Sequence, residues 1–138
     1  FNIANTWFNG YGLFYLSTAY PTQWLVDTRF IAGIAAFVIG LLINRHADLV
    51  LRQVRAENPN AYGIPRRGMY EFISCPNYFG EIVEWIGWAI LTWSTAGASF
   101  ALWTVANLAP RAWSHHQWYR KNFDDYPAKR KALIPFIW

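Results

Sequence analysis

Asn44, Asp48, Arg52 and Arg55 follow one another at steps of four, four and three residues, which places an amide, a carboxylate and two guanidiniums along one side of a helix. Guanidinium forks grip phosphate through paired hydrogen bonds, while an Asp and an Asn can bond amide or ribose groups. The set therefore reads as one wall of a nucleotide cradle. The alternative is a solvated helix end with an Asp48–Arg52 ion pair, an interaction of only a few tenths of a kcal/mol. A second set, Asn77 and Glu81 with Glu84 beyond, opens an apolar run with little water to solvate its carboxylates. The helix dipole accounts weakly for Glu81 and hardly at all for Glu84, so an arginine such as Arg111 is the expected partner. A third set, Arg111, His115 and Tyr119, aligns a cation, an imidazole and a phenol at steps of four and suits phosphate or ribose hydroxyls. Interfacial snorkelling explains Arg111 but neither His115 nor Tyr119. Such groups are costly in hydrocarbon unless partnered, so the three faces are expected to turn inward and wall one buried polar cavity.

The elements that must position them are helices in an oily chain. Of the 138 residues, 54% are hydrophobic, 20% aromatic and 14% charged, against roughly 25% charged in soluble domains. A mean hydropathy of only +0.07 hides segregation, because the polar residues gather in Arg45 to Glu71 and Arg111 to Lys131. The net charge of +4 could suggest nucleic acid, but two basic blocks beside apolar helices fit a membrane with its cytoplasmic face toward them. The nine tryptophans suit interfacial anchoring. The single cysteine, Cys75, has no partner for a disulfide or a metal pair and reads as a small buried residue. The adjacent His115 and His116 point about 100° apart on a helix and make no zinc pair. No metal is expected.

Phe1 to Tyr20 reads as an apolar helix broken at Asn9-Gly10 and ended by Tyr20-Pro21. The clearest span runs from Trp24 through Ile43 and continues through the first polar set to Arg55, ending at Glu57-Asn58-Pro59-Asn60. The stretch Tyr62 to Gly68, with Arg66 and Arg67, is the candidate phosphate-facing loop. Ile82 to Pro110 could form one tilted span, but that would put the Arg67 and Arg111 blocks on opposite sides of the membrane, so a helical hairpin is expected, with Pro76 in a first turn and a connection near Ser94 to Gly97. The only methionine is Met69, and the chain opens inside an apolar segment, which reads as part of a longer protein. The expected fold class is an all-α polytopic transmembrane helical bundle. The absence of GxGxxG, a P-loop lysine and strand patterning argues against Rossmann and P-loop accounts.

Five blocks in order carry a resemblance: Asn44 to Asp48 with Leu51 to Arg55; Tyr62 to Pro65; Pro76 to Trp85; Arg111-Ala112 with His115-His116 and Tyr119; and Tyr126 to Phe136, with its closing Arg-Lys-Ala-Leu-Ile-Pro-Phe. Together they resemble the C-terminal half of the steroid 5-alpha-reductase family, over residues 1–138. The resemblance implies a seven-helix membrane enzyme that uses NADPH to reduce the 4,5 double bond of a 3-oxo-4-ene steroid. It implies that Asn44, Asp48, Arg52, Arg55, Tyr62, Asn77, Glu81, Arg111, His115 and Tyr119 hold the cofactor from the cytoplasmic side. The implied partners are a steroid or related enone lipid, membrane lipid and the N-terminal half of the same protein. The implied location is a multi-pass integral membrane site, in the endoplasmic reticulum if eukaryotic or the inner membrane if bacterial. The groups that polarise the steroid carbonyl, a Tyr and a Gln-Glu pair in the family, are expected in the N-terminal half, so this segment is expected to bind cofactor without turning over steroid alone. Where a vertebrate-like member carries Arg after the loop Tyr, this chain has Gly63. Either Arg66 and Arg67 supply that charge, or the grip on phosphate is weaker. An isoprenylcysteine-methyltransferase-like or sterol-reductase-like enzyme is the alternative, and a non-catalytic membrane scaffold a third reading that leaves the three polar faces unexplained.

Overall fold

The computed structural model describes residues 2–16, 20–57, 59 and 62–138, with residues 2, 5, 13 and 16 described by backbone alone. Four α-helices dominate: α1 Asn2–Tyr11, α2 Thr28–Glu57, α3 Pro76–Thr92 and α4 Thr95–Asn122. No strand occurs among the described residues, only a parallel bridge between Ile73 and Lys131. The helix α1 runs through the expected break at Asn9-Gly10 and gives way instead to a π turn over Gly12–Leu16. Phe1 and the residues 17–19 of that expected segment lie outside the described residues.

The long helix starts later than the hydropathy pattern suggests. A 3-10 turn occupies Thr22–Val26, and the Asp27 carboxylate then accepts the Arg29 backbone N–H at 2.8 Å, which satisfies one of the free donors of the first helical turn. The Arg29 guanidinium returns to the same carboxylate at 2.9 Å through both Nε and Nη2 and lies 4.5 Å from the Trp24 ring centroid. At the other end α2 reaches Glu57; Asn58 and Asn60 of the expected break lie outside the described residues. Among the described residues α2 is the one helix long and apolar enough to cross a membrane. Its most apolar window has mean hydropathy 1.7 and is only 17% buried, so Ile31, Val38 and Leu42 face outward rather than filling a core.

The hairpin forms where the sequence places it. Pro76 sits in the first turn of α3, where its missing N–H costs nothing. Trp93 takes left-handed geometry at φ 45° to end the helix, and the Ser94 hydroxyl caps α4 by accepting the Gly97 N–H at 3.0 Å. Both neighbours of α3 run antiparallel to it. On the α2 side the approach is backbone to backbone. Gly33 lies against Gly87 and Leu91, and Gly40 against Gly80 and Glu84, so that a Cβ at Gly80 would stand 2.5 Å from the Asn44 nitrogen and 2.7 Å from the Gly40 carbonyl oxygen.

The buried apolar residues form two clusters. Cys75, Ile82, Leu108, Ala112 and Leu133 join α3, α4 and the C-terminal tail. Ala47, Val50 and Tyr70 join α2 to a 3-10 turn over Gly68–Glu71. That turn begins at Gly68, whose φ of +60° is left-handed and where a Cβ would meet the His46 ring, so glycine alone fits there.

Candidate functional site

Between the two clusters lies a cleft of about 430 Å³, within the range of small-molecule sites. Its walls come from all three expected polar sets. Arg55 and Leu51 stand on α2, Asn77 and Tyr78 on α3, and His115, Trp118 and Tyr119 on α4, while Tyr62, Tyr70, Ser74 and Cys75 come from the connecting segment. Helical spacing thus delivered Arg55, Asn77, His115 and Tyr119 to one cleft, which Tyr62 also lines. Tyr62 meets Trp118 edge to face at 5.1 Å, and the Tyr78 hydroxyl lies 3.4 Å from His115 Nε2.

The other expected residues take different places. The Asn44 amide donates to the Asn77 backbone carbonyl at 3.1 Å, bridging α2 to the first turn of α3. Asp48 and Glu81 lie close enough for their charges to interact, and so do Arg111 and Tyr78; Arg52 is exposed. None of these five lines the cleft. The expected pairing of Glu81 with Arg111 does not form, nor does the Asp48–Arg52 pair of the alternative reading, since the ion pairs among the described residues are Asp27–Arg29 and Arg66–Asp125. The fully buried polar cavity expected from the sequence is a cleft with an open side: Arg55, Tyr62 and His115 are all exposed.

The loop cations also differ from expectation. Arg66 pairs with the Asp125 carboxylate and donates to the Asp125 backbone carbonyl at 3.2 Å. Arg67 Nη1 donates to Gln53 Oε1 at 3.3 Å. Both guanidiniums are exposed and spent on the protein itself, and neither lines the cleft. In the structure, they do not replace the charge missing at Gly63.

A buried network beneath the cleft escaped the sequence reading. Ser74 Oγ stands 2.6 Å from His116 Nδ1 and 2.6 Å from the Tyr126 hydroxyl, and donates to the Lys131 carbonyl at 3.0 Å. With the serine proton committed to Lys131, the Tyr126 O–H and the His116 Nδ1–H are the donors to Ser74. Backbone bonds from Ser74 N to Lys131 O at 2.8 Å and from Lys131 N to Phe72 O at 2.9 Å fix the same junction. Tyr126 stacks on Tyr119 at 5.4 Å, so this network sets the position of a cleft side chain. Arg130, only 4% exposed, donates to the Pro65 carbonyl at 3.0 Å and lies 4.9 Å from the Tyr126 ring centroid. It ties the tail to the loop that carries Tyr62. Burial pushes the Cys75 thiol up to about 12, which keeps it protonated and unreactive.

His116 lies past Arg111, beyond the apolar part of α4, and its pKa is lowered first by burial and then by Arg120, Arg130 and Lys131. A histidine held neutral in the fold takes up its proton more readily once unfolded, so its contribution is present above the ordinary value of 6.5 and is lost as pH falls through that value toward the lowered one. The Tm of the wild-type protein is therefore expected to fall between pH 7.5 and pH 5.5 more steeply than that of a His116→Asn variant; equal slopes for the two contradict the assignment.

Comparison with known proteins places these features in a family. A profile of the 3-oxo-5-alpha-steroid 4-dehydrogenases matches residues 1–138. A Gossypium hirsutum protein named steroid 5-alpha-reductase DET2 is 46% identical over 100% of this chain and 54% of its own length. The 3-oxo-5-alpha-steroid 4-dehydrogenase 1 of Bos taurus is 50% identical over 89% of the chain and 49% of its own length, and the corresponding type 2 protein of Sus scrofa is 44% identical over 99% and 54%. The chain spans about half the length of the curated relatives it matches.

Proposed function

This chain belongs to the 3-oxo-5-alpha-steroid 4-dehydrogenase family, and on that premise we propose that its cleft is the NADPH site of a membrane oxidoreductase that reduces the 4,5 double bond of a 3-oxo-4-ene steroid. The observation that carries the reading is the convergence of Arg55, Asn77, His115 and Tyr119, from three separate helices, on one cleft. The donor set fits a pyridine dinucleotide. Arg55 offers a phosphate fork, Asn77 an amide, His115 an imidazole, and Tyr62, Tyr78 and Tyr119 phenols for ribose or phosphate oxygens.

Bound there, NADPH supplies the hydride delivered to C5 of the steroid. The chain's own residues bind and orient. Trp118 and Tyr62 form an aromatic flank at the cleft, and Tyr119, edge to face with Trp118, is held by Tyr126 and Ser74 through the buried network. Asp48, Glu81, Arg52 and Arg111 stand around the cleft rather than in its wall, and they shape its field or close on the ligand. The groups that polarise the steroid carbonyl belong, in this reading, to the N-terminal half of a seven-helix protein. Hydride addition makes the transition state enolate-like, and its oxygen needs a donor there. The protein lies in the endoplasmic reticulum or a bacterial inner membrane, with the basic ends of α2 and α4 toward the cytoplasm.

Family membership favours the reductase over the methyltransferase-like alternative, and a ligand titration tests the choice. NADPH is expected to raise the Tm of the full-length protein in detergent while S-adenosylmethionine leaves it unchanged, and NADPH-dependent loss of the enone absorbance of a 3-oxo-4-ene steroid should accompany it. Protection by S-adenosylmethionine and not by NADPH sinks the reading. Steroid reduction by the 138-residue chain alone contradicts the placing of the carbonyl-polarising groups elsewhere.

A further inference from the structure

Tyr70 is 2% exposed, packed against Ala47 and Val50 of α2, and its backbone is fixed by a bond from its N–H to the Arg67 carbonyl at 3.3 Å. Tyr70 is among the residues that line the cleft. Yet its hydroxyl has no hydrogen-bond partner among the described residues. A buried phenol that bonds nothing is costly, and buried tyrosines usually find a partner. A phenylalanine would fill the same space without that cost. The polar groups close enough to act on the ring are Asp48, Arg55, Cys75 and Tyr119, drawn from α2, the connecting segment and α4, and none bonds the hydroxyl. Burial leads the causes that push the Tyr70 pKa upward, so the phenol keeps its proton and serves as a donor.

We propose that Tyr70 is a cofactor-binding residue whose hydroxyl donates a hydrogen bond to a phosphate or ribose oxygen of the dinucleotide in the cleft. The inference rests on the NADPH reading above and adds a contact to it. Arg55 on the same wall brings the anionic part of the ligand to this side of the cleft, and the rigid seat of the Tyr70 ring means that little further ordering is needed when the bond forms.

An orphan hydroxyl that bonds only the ligand has a signature that an ordinary packing residue lacks. Removing it should not harm the free protein and should harm the complex. In the full-length protein Tyr70→Phe is expected to leave the ligand-free Tm unchanged or higher, and to weaken NADPH binding about tenfold by isothermal titration, the loss of one hydrogen bond to a charged or polar oxygen. Two results overturn the assignment while leaving the cofactor reading in place: equal NADPH affinity in wild type and variant, or a lower Tm for the free variant, which would mean that the hydroxyl already has a protein partner. Failure of the wild-type protein to bind NADPH at all removes the cofactor reading itself, so the two failures are told apart by the wild-type titration.

Discussion

Gly40→Val is expected to lower the Tm of the full-length protein by roughly 6 to 12 °C, and to abolish dinucleotide binding well before the α-helical signal is lost. The cause is the contact between α2 and α3. A Cβ at Gly40 would collide with the backbone nitrogen of Glu84 and stand 2.6 Å from the Gly80 carbonyl oxygen. Neither atom belongs to a flexible side chain that could rotate away, so the helices must separate. Overpacking a well-packed contact costs about 1 to 3 kcal/mol, and a rigid backbone neighbour puts this site at or above the upper end, which for a chain of 150 to 250 residues corresponds to roughly 2 to 4 °C per kcal/mol. The displacement reaches the cleft because the same helical face carries Asn44, which holds the Asn77 carbonyl one turn further on, and Arg55 beyond it. Gly10→Ala is the control: nothing lies within 4 Å of a Cβ there, and replacing a helical glycine with alanine favours the helix by up to about 1 kcal/mol. Equal effects of the two substitutions would show that helix propensity, not the close crossing, governs both.

Much of this architecture could be read in advance because it depends on local signals. Pro76 and the Ser94 to Gly97 connection mark the hairpin through backbone preferences that act over a few residues, and the structure turns there. The steps of three and four that group Arg55, Asn77, His115 and Tyr119 are helix geometry, and they hold as soon as the helices exist. The glycine contacts were legible in principle, since Gly33 and Gly40, and likewise Gly80 and Gly87, stand seven residues apart and so share a face. Their pairing across helices appears only once α2 and α3 are laid antiparallel.

What escaped is what depends on distant partners. Arg66 and Arg67 looked free for phosphate, but Asp125 and Gln53 claim them, 59 and 14 residues away. Glu81 looked committed to Arg111, yet no such ion pair forms among the described residues, because spacing within each helix does not fix which residues face each other across two helices. Ser74 carried no pattern at all, since a serine before a Cys-Pro pair reads as a loop residue until the tail returns to cover it.

Ser74→Val is expected to be the most damaging single change outside the helix crossing. Valine nearly matches the volume near Cβ but offers no polar atom to His116 Nδ1, the Tyr126 hydroxyl or the Lys131 carbonyl, each of which now meets Ser74 Oγ within 3.0 Å. Leaving one buried group unsatisfied costs about 1 to 3 kcal/mol. The Lys131 carbonyl keeps its bond from the Ser74 N–H, so two groups carry most of the loss, and about 3 kcal/mol is the expected total. The loss falls where the C-terminal tail joins α3 and α4, so Tyr126 should leave Tyr119 and the cleft should loosen with it. Ser74→Val is then expected to weaken NADPH binding as well as to lower the Tm, whereas Ser74→Thr keeps the hydroxyl and should retain most of both. A Ser74→Val protein with wild-type Tm and wild-type NADPH affinity would mean that the tail is held by its apolar anchors Ala132 and Leu133 and that the polar network beneath the cleft is incidental to it.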